Sequence, residues 1–284
     1  MNRRIFALLA AALLVLSVSG CTEKAAVQAQ TDLLATTQPV YQLANALTDG
    51  TGLTVSLLIS EPVSCLHDYT LTVSQMEKIE NAKLVLESGL GLEDFMADAL
   101  SGKTRIVVSS TLPTLEGDEG IDPHWWLDPT RFRAAAKLTA QELGSQYPEF
   151  SDQIAENFAA FDKKLSELQS YGDEALKNLS CRELVTFHDG FSYFADSFGL
   201  TIAAAMEVES GSEPSAKELE QIVSIVEECK IPAVFTETNG ETGSAQVVAN
   251  ETGCKVYTLD MAISNADYFA AMRENINTIK EALG

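Results

Sequence analysis

Between residues 150 and 179 the chain offers nothing that reads as a strand. Ile154, Phe158, Phe161, Leu165 and Leu168 recur at three- and four-residue steps, the spacing of a single apolar helix face. One helix over this stretch holds about thirty residues and runs about 45 Å. On either side the pattern differs, with short apolar runs alternating with helical ones. That rhythm implies parallel sheets covered by helices on both faces. One long helix interrupting it is more naturally a strut between lobes than a covering helix. The expected fold is α/β, with two parallel-sheet α/β lobes joined by one long rigid helix. The lobes are assigned to residues 32–146 and 181–284 and the linking helix to 147–180. A length of 284 residues suits about two domains.

The first lobe reads as a short apolar run at 33–37, a helix at 40–47 stopped by Gly50 and Gly52, and a strand at 53–59. A helix follows at 72–79, with Ser74 as its expected cap and Glu77 three residues on. A strand at 82–86 leads into Gly89-Leu90-Gly91-Leu92-Glu93. The residues a phosphate loop needs are missing there, so the glycines mark a turn into a helix at 93–100. A strand at 105–109 and an amphipathic helix at 129–143 complete the lobe. In the second lobe, strands are expected at 183–187, 201–208, 233–237 and 255–259. Helices are expected at 191–198, 215–229, 244–252 and 268–283. No repeat of 20 to 50 residues underlies this duplicated pattern.

The first twenty residues stand apart from the fold. Arg3 and Arg4 precede an apolar run at 5–18 that is short for a membrane span, and Val18-Ser19-Gly20-Cys21 follows. This looks like a bacterial lipoprotein signal over residues 1–20, with Cys21 lipidated as the mature N-terminus. The alternative is an ordinary secretory signal with an accidental cysteine. Residues 21–31 are polar and patternless and read as a flexible tether. The protein is therefore expected at the cell membrane, lipid-anchored on the extracytoplasmic face. A net charge of -22 argues against nucleic acid. Cys65, Cys181, Cys229 and Cys254 remain, an even number in an exported chain, with three possible full pairings. One disulfide among Cys181, Cys229 and Cys254 is expected, because each precedes a strand-like run.

The chain has only three histidines, and each stands among aromatic and acidic residues. They are Leu66-His67-Asp68-Tyr69, Phe187-His188-Asp189-Gly190 and Asp122-Pro123-His124-Trp125-Trp126-Leu127-Asp128-Pro129, which holds both tryptophans. In open parallel sheets, ligands bind beyond the carboxyl ends of the strands. His67, His188 and Asp260 stand at or just past such ends, and His124 lies in a loop after another. Two come from each lobe, so all four can converge on the interlobe cleft. Three imidazoles and one carboxylate suit Zn²⁺ at about 2.0–2.2 Å. Glu237 also ends a strand and is the rival of Asp260, while Cys65 is a weaker candidate beside His67. Asp68 and Asp189 could orient imidazoles through their second nitrogens.

The chain resembles the metal-binding lipoproteins that serve ABC importers of zinc and manganese, the zinc-uptake or cluster A-I solute-binding family. The likeness is carried by His67-Asp68-Tyr69, Asn81-Ala82-Lys83-Leu84-Val85 with the two-glycine turn, and the tryptophan motif around His124. It continues through Thr186-Phe187-His188-Asp189-Gly190-Phe191-Ser192-Tyr193-Phe194, Gly211-Ser212-Glu213-Pro214-Ser215, Phe235-Thr236-Glu237 and Leu259-Asp260. The resemblance implies a metal buried between two lobes by His67, His124, His188 and Asp260. It further implies a monomer that delivers the ion to a permease driven by an ATPase, without catalysis. Leu66 replaces a usual proline, and the histidine-rich loop of many zinc members is absent. Manganese members tend to carry glutamate at the third position, where this chain has His188. Nitrogen there favours zinc, because Mn²⁺ prefers harder oxygen ligands. Manganese remains the alternative cargo, and a secreted zinc hydrolase or an adhesin-like lipoprotein the alternative roles. A hydrolase would keep three histidine ligands and a water, but the chain has no His-Glu-x-x-His helix.

Overall fold

A computed structural model describes residues 30–61, 69–117, 120–206, 214–238, 240, 242–263 and 267–284. The leader with Cys21, most of the tether, and the segment with Cys65, His67 and Asp68 lie outside these residues. The first lobe carries a parallel sheet of four strands in the order β2-β1-β3-β4. These are β1 (Thr31–Ala35), β2 (Val55–Leu57), β3 (Ala82–Glu87) and β4 (Arg105–Val107). A short antiparallel hairpin follows, β5 (Glu116–Gly117) and β6 (Gly120–Ile121). The second lobe repeats the plan as β10-β9-β7-β8, again parallel. Its strands are β7 (Glu183–Thr186), β8 (Thr201–Ala205), β9 (Ala233–Glu237) and β10 (Lys255–Leu259). Strand order reverses between β1 and β3 and between β7 and β9. Those two crevices are where a parallel sheet offers backbone ends to a ligand.

The helices follow the expected faces, with local corrections. Helix Val73–Asn81 is capped by Thr72, not Ser74; Gln75 completes a capping box. The expected helix at 93–100 divides into a 3-10 turn, Asp94–Met96, and one α-turn, Ala97–Leu100. The long helix runs Ser151–Ala175 after a 3-10 turn at Pro148–Phe150. It stops short of residue 179 because the Arg182 guanidinium donates to the carbonyls of Leu176 and Lys177 at 3.0 and 3.2 Å, satisfying a frayed helix end. The helix is no free-standing strut. It buries Ile154, Phe161, Leu165 and Leu168 against helices Gln38–Thr48 and Pro129–Gln146 of the first lobe and Tyr268–Leu283 of the second. Leu33, Leu86, Leu165, Leu184, Phe235 and Ile276 therefore belong to one contiguous core spanning both lobes.

Gly172 marks how closely that helix approaches the second lobe, because a Cβ there would overlap the Phe198 ring. Gly172→Ala is expected to lower unfolding stability by about 1–3 kcal/mol through overpacking, measured by urea denaturation. Cys181, Cys229 and Cys254 are free thiols, which corrects the expected disulfide. The run after each cysteine does become a strand, yet Cys229 closes helix Ala216–Cys229 on an exposed position. Among the described residues no helix is long and apolar enough to cross a membrane.

Candidate metal site

His188 lies two residues past the end of β7, at the second lobe's strand-order reversal. His124 follows the β5–β6 hairpin and opens the 3-10 turn Trp125–Leu127. The fold brings these two rings, one from each lobe, edge to face with centroids 5.2 Å apart. Both residues are buried, each 8% exposed. The Nε2 of His188 is buried with no hydrogen-bond partner among the described residues, an arrangement that costs about 1–3 kcal/mol unless something fills it. Burial first, and the neighbouring His124 next, lower the His188 pKa from 6.5 to about 3, against a small opposing pull from Asp122. The ring is thus held neutral, the form a metal requires.

His124 is fixed from several sides. Asp122 Oδ1 accepts from its backbone N–H and pairs with its ring Nδ1, both at 2.8 Å. Its ring rests edge-on against Trp126 at 5.3 Å. Trp126 Nε1 in turn donates to the Met261 carbonyl at 2.8 Å, and the Tyr268 hydroxyl donates to the Trp126 carbonyl at 2.8 Å. Trp125 Nε1 donates to Ser88 Oγ at 3.0 Å. Behind Ser88, Glu93 is buried and accepts from Thr36 Oγ1 and from the amides of Ser88 and Gly89 at 2.7, 2.7 and 2.9 Å. Burial raises the Glu93 pKa to about 7 despite those three donors. This network braces the β1–β3 reversal of the first sheet directly beneath the tryptophan motif.

Asp260 follows β10 and is gripped by the last helix. Asn275, itself buried, accepts from the Asp260 amide at 2.8 Å and donates to its carbonyl at 2.7 Å. The Asp260 carboxylate accepts from the Ala262 amide at 2.7 Å, an Asx turn that sets the side chain's direction. Its neighbour Met261 packs against Gly190, two residues after His188, since a Cβ on Gly190 would stand 2.5 Å from Met261 Cε. Glu237 is buried and registers with Leu259, so it lies beside the Asp260 turn at the end of the adjacent strand. Asp189 lies against the hairpin; its Oδ2 would be 3.0 Å from a Cβ on Gly117. A cavity of about 440 Å³ opens beside His124 between that hairpin, Asp189 and residues 90–94.

Among the described residues no three His, Cys, Asp or Glu side chains form a metal-holding group. The structure places His124 against His188 and links the residue after Asp260 to the His124 side through the Trp126–Met261 bond, while His67 and Cys65 lie outside the described residues. Asp122, Asn275 and Gly190 were not foreseen. The Asp-Pro pair at 122–123 reads as a turn, and no spacing rule marks a carboxylate two residues before a histidine as its partner. Gly190 leaves the room that His188 occupies, because a Cβ there would lie 2.7 Å from Cδ2 and 2.9 Å from Nε2 of the ring. Gly190→Ala is expected to weaken metal binding roughly tenfold, the lower end for residues that support a ligand. The measure is chelator competition, with urea unfolding run alongside; unchanged affinity would mean that His188 does not need this space.

Residues 33–282 match the family described as zinc-uptake complex component A, periplasmic (ZnuA). The chain is 27% identical to zinc-binding protein TroA of Treponema pallidum (strain Nichols) over 240 residues, covering 76% of this chain and 78% of that protein. It is 27% identical to manganese-binding lipoprotein MntA of Bacillus subtilis (strain 168) over 293 residues, covering 94% and 95%. A crystal structure of ZnuA superposes with a TM-score of 0.81 at 29% identity, covering 89% of this chain and 98% of that one.

Proposed function

We propose a metal-capturing role for this chain, which belongs to the ZnuA family of zinc-uptake components: it binds a divalent transition metal outside the cytoplasm and delivers it to an ABC importer. The observation that carries the reading is the His124–His188 pair, contributed by the two lobes, with the His188 Nε2 buried and unpartnered among the described residues. His67 and Asp260 complete the proposed ligand set, with Glu237 the alternative carboxylate. The ion is held by neutral imidazoles and one carboxylate, and the loaded protein docks on a permease powered by an ATPase. Zinc is the preferred cargo because nitrogen-rich sites suit it, whereas Mn²⁺ sits low in the affinity series and prefers oxygen. The similarity to both a zinc-binding and a manganese-binding protein keeps manganese as the second reading. Lipidation at Cys21 keeps the carrier at the membrane, since a multiply acylated terminus holds where one chain would not.

Elemental analysis and competitive titration of the purified protein with zinc and manganese test this. One zinc held per chain and not displaced by manganese is the expected result. Preferential retention of manganese would keep the carrier role and overturn the argument from ligand softness. Failure to hold either metal would overturn the role itself.

A further inference from the structure

We propose that Asp122 is the positioning residue of the metal site: it holds His124 in the tautomer that carries its proton on Nδ1, so that Nε2 faces the ion, and supplies a buried negative charge behind the ring. This rests on the reading of His124 as a ligand. A carboxylate only accepts hydrogen bonds, so the 2.8 Å contact between Asp122 Oδ1 and His124 Nδ1 requires the proton to sit on Nδ1. Which nitrogen of a neutral imidazole is left to bind a metal is decided by the bond the other one makes. The same Oδ1 accepts the His124 backbone N–H at 2.8 Å, so one oxygen fixes both the chain and the ring.

The carboxylate is itself held. Its side chain is 1% exposed, and its backbone amide donates to the Leu115 carbonyl at 2.9 Å, closing the hairpin. Pro123 stands between the two residues and locks one backbone angle. The ring's other contacts, edge-on to Trp126 and His188, leave it little room to turn over. Among the described residues, Asp122 Oδ2 is buried without a hydrogen-bond partner. A carboxylate placed that way is expensive in the empty protein and gains when a dication arrives across the ring. A turn residue with a purely structural role needs only the bond to the backbone amide, whereas Asp122 also engages the ring nitrogen.

Two variants separate these roles. Asp122→Asn keeps an acceptor oxygen for both bonds and removes the charge, while Asp122→Ala removes both. Long-range ¹H–¹⁵N spectra of the metal-free protein report the tautomer of each histidine, and chelator competition reports zinc affinity. Wild type is expected to show His124 protonated on Nδ1. Asp122→Ala is expected to move that proton to Nε2 and to weaken zinc binding about 10–100-fold, the range for residues that orient a ligand. Asp122→Asn is expected to keep the Nδ1 proton and lose affinity by less. A wild-type proton on Nε2, or Asp122→Ala binding zinc within twofold of wild type, would overturn the assignment. If zinc leaves the His124 Nε2 signal of wild type unmoved, His124 is no ligand, and the metal-site reading fails together with this inference. If the signal moves and Asp122→Ala still binds normally, only the role of Asp122 fails.

Discussion

Replacing His188 with alanine is expected to remove tight metal binding while leaving the fold in place. Zinc sites built from protein ligands bind with about 10–16 kcal/mol in all. One of four ligands then carries roughly 3–4 kcal/mol, a loss on the order of 10²–10³-fold in affinity. The metal-free protein should change little, by about 1 kcal/mol in either direction. The variant loses a packed ring but also loses a buried nitrogen that has no partner among the described residues. Acid separates the two proteins further. The His188 pKa is lowered to about 3 in the folded state from the ordinary 6.5, so between those values the unfolded chain takes up a proton that the folded one excludes. Stability is thus fully retained above pH 6.5 and falls with acidification toward pH 3, by up to about 1.4 kcal/mol per pH unit. His188→Ala lacks this contribution, so its stability relative to wild type should rise as the pH is lowered from 6.5. Chelator competition at neutral pH and urea unfolding at several pH values measure both effects.

Truncating Trp126 is the second large effect. Trp126 is 2% exposed and joins the lobes twice, through its Nε1 to the Met261 carbonyl and through its carbonyl to the Tyr268 hydroxyl. The Tyr268 amide also donates to Gln42 at 2.9 Å, Ser197 to Asp128 at 3.1 Å, and the Leu115 amide to the Tyr193 hydroxyl at 3.0 Å. A seam bonded at so many points, over a continuous core, favours loop shifts over a wide hinge. Trp126→Ala is expected to cost about 3–5 kcal/mol in urea unfolding and to loosen the Asp260 turn. By small-angle scattering, the wild-type radius of gyration should be nearly independent of metal, whereas the variant should expand when metal is removed. A variant within 1 kcal/mol of wild type would show that the seam does not depend on this residue.

Regular elements with strong patterns were legible in the chain itself. The strands Ala233–Glu237 and Lys255–Leu259 and the helix Tyr268–Leu283 follow their apolar runs and the turn residues that bound them. The two parallel sheets followed from the alternation alone. What sequence reasoning missed depends on contacts distant along the chain. The cap at Thr72 was decided by Gln75 reaching back, not by the serine two residues later. The end of the long helix was decided by Arg182, and the β5–β6 hairpin is too short to leave a period. Site geometry divided the same way. Strand patterns place His188 and Asp260 just past the ends of β7 and β10, where the structure has them. The brace around them does not announce itself, since Asn275, Asp122 and Glu93 read as an ordinary helix residue, a turn residue and the first residue of a helix. Only the folded chain shows each one buried or clamped onto the backbone of a site segment.

The most direct test of the proposed ligand set is X-ray absorption at the zinc edge of the zinc-loaded protein. Three imidazoles and one carboxylate predict only nitrogen and oxygen neighbours at about 2.0–2.2 Å, with the outer-shell scattering of histidine rings. A sulfur neighbour at about 2.3 Å would place Cys65 in the site, and fewer than three imidazoles would contradict the assignment of His67, His124 and His188 together.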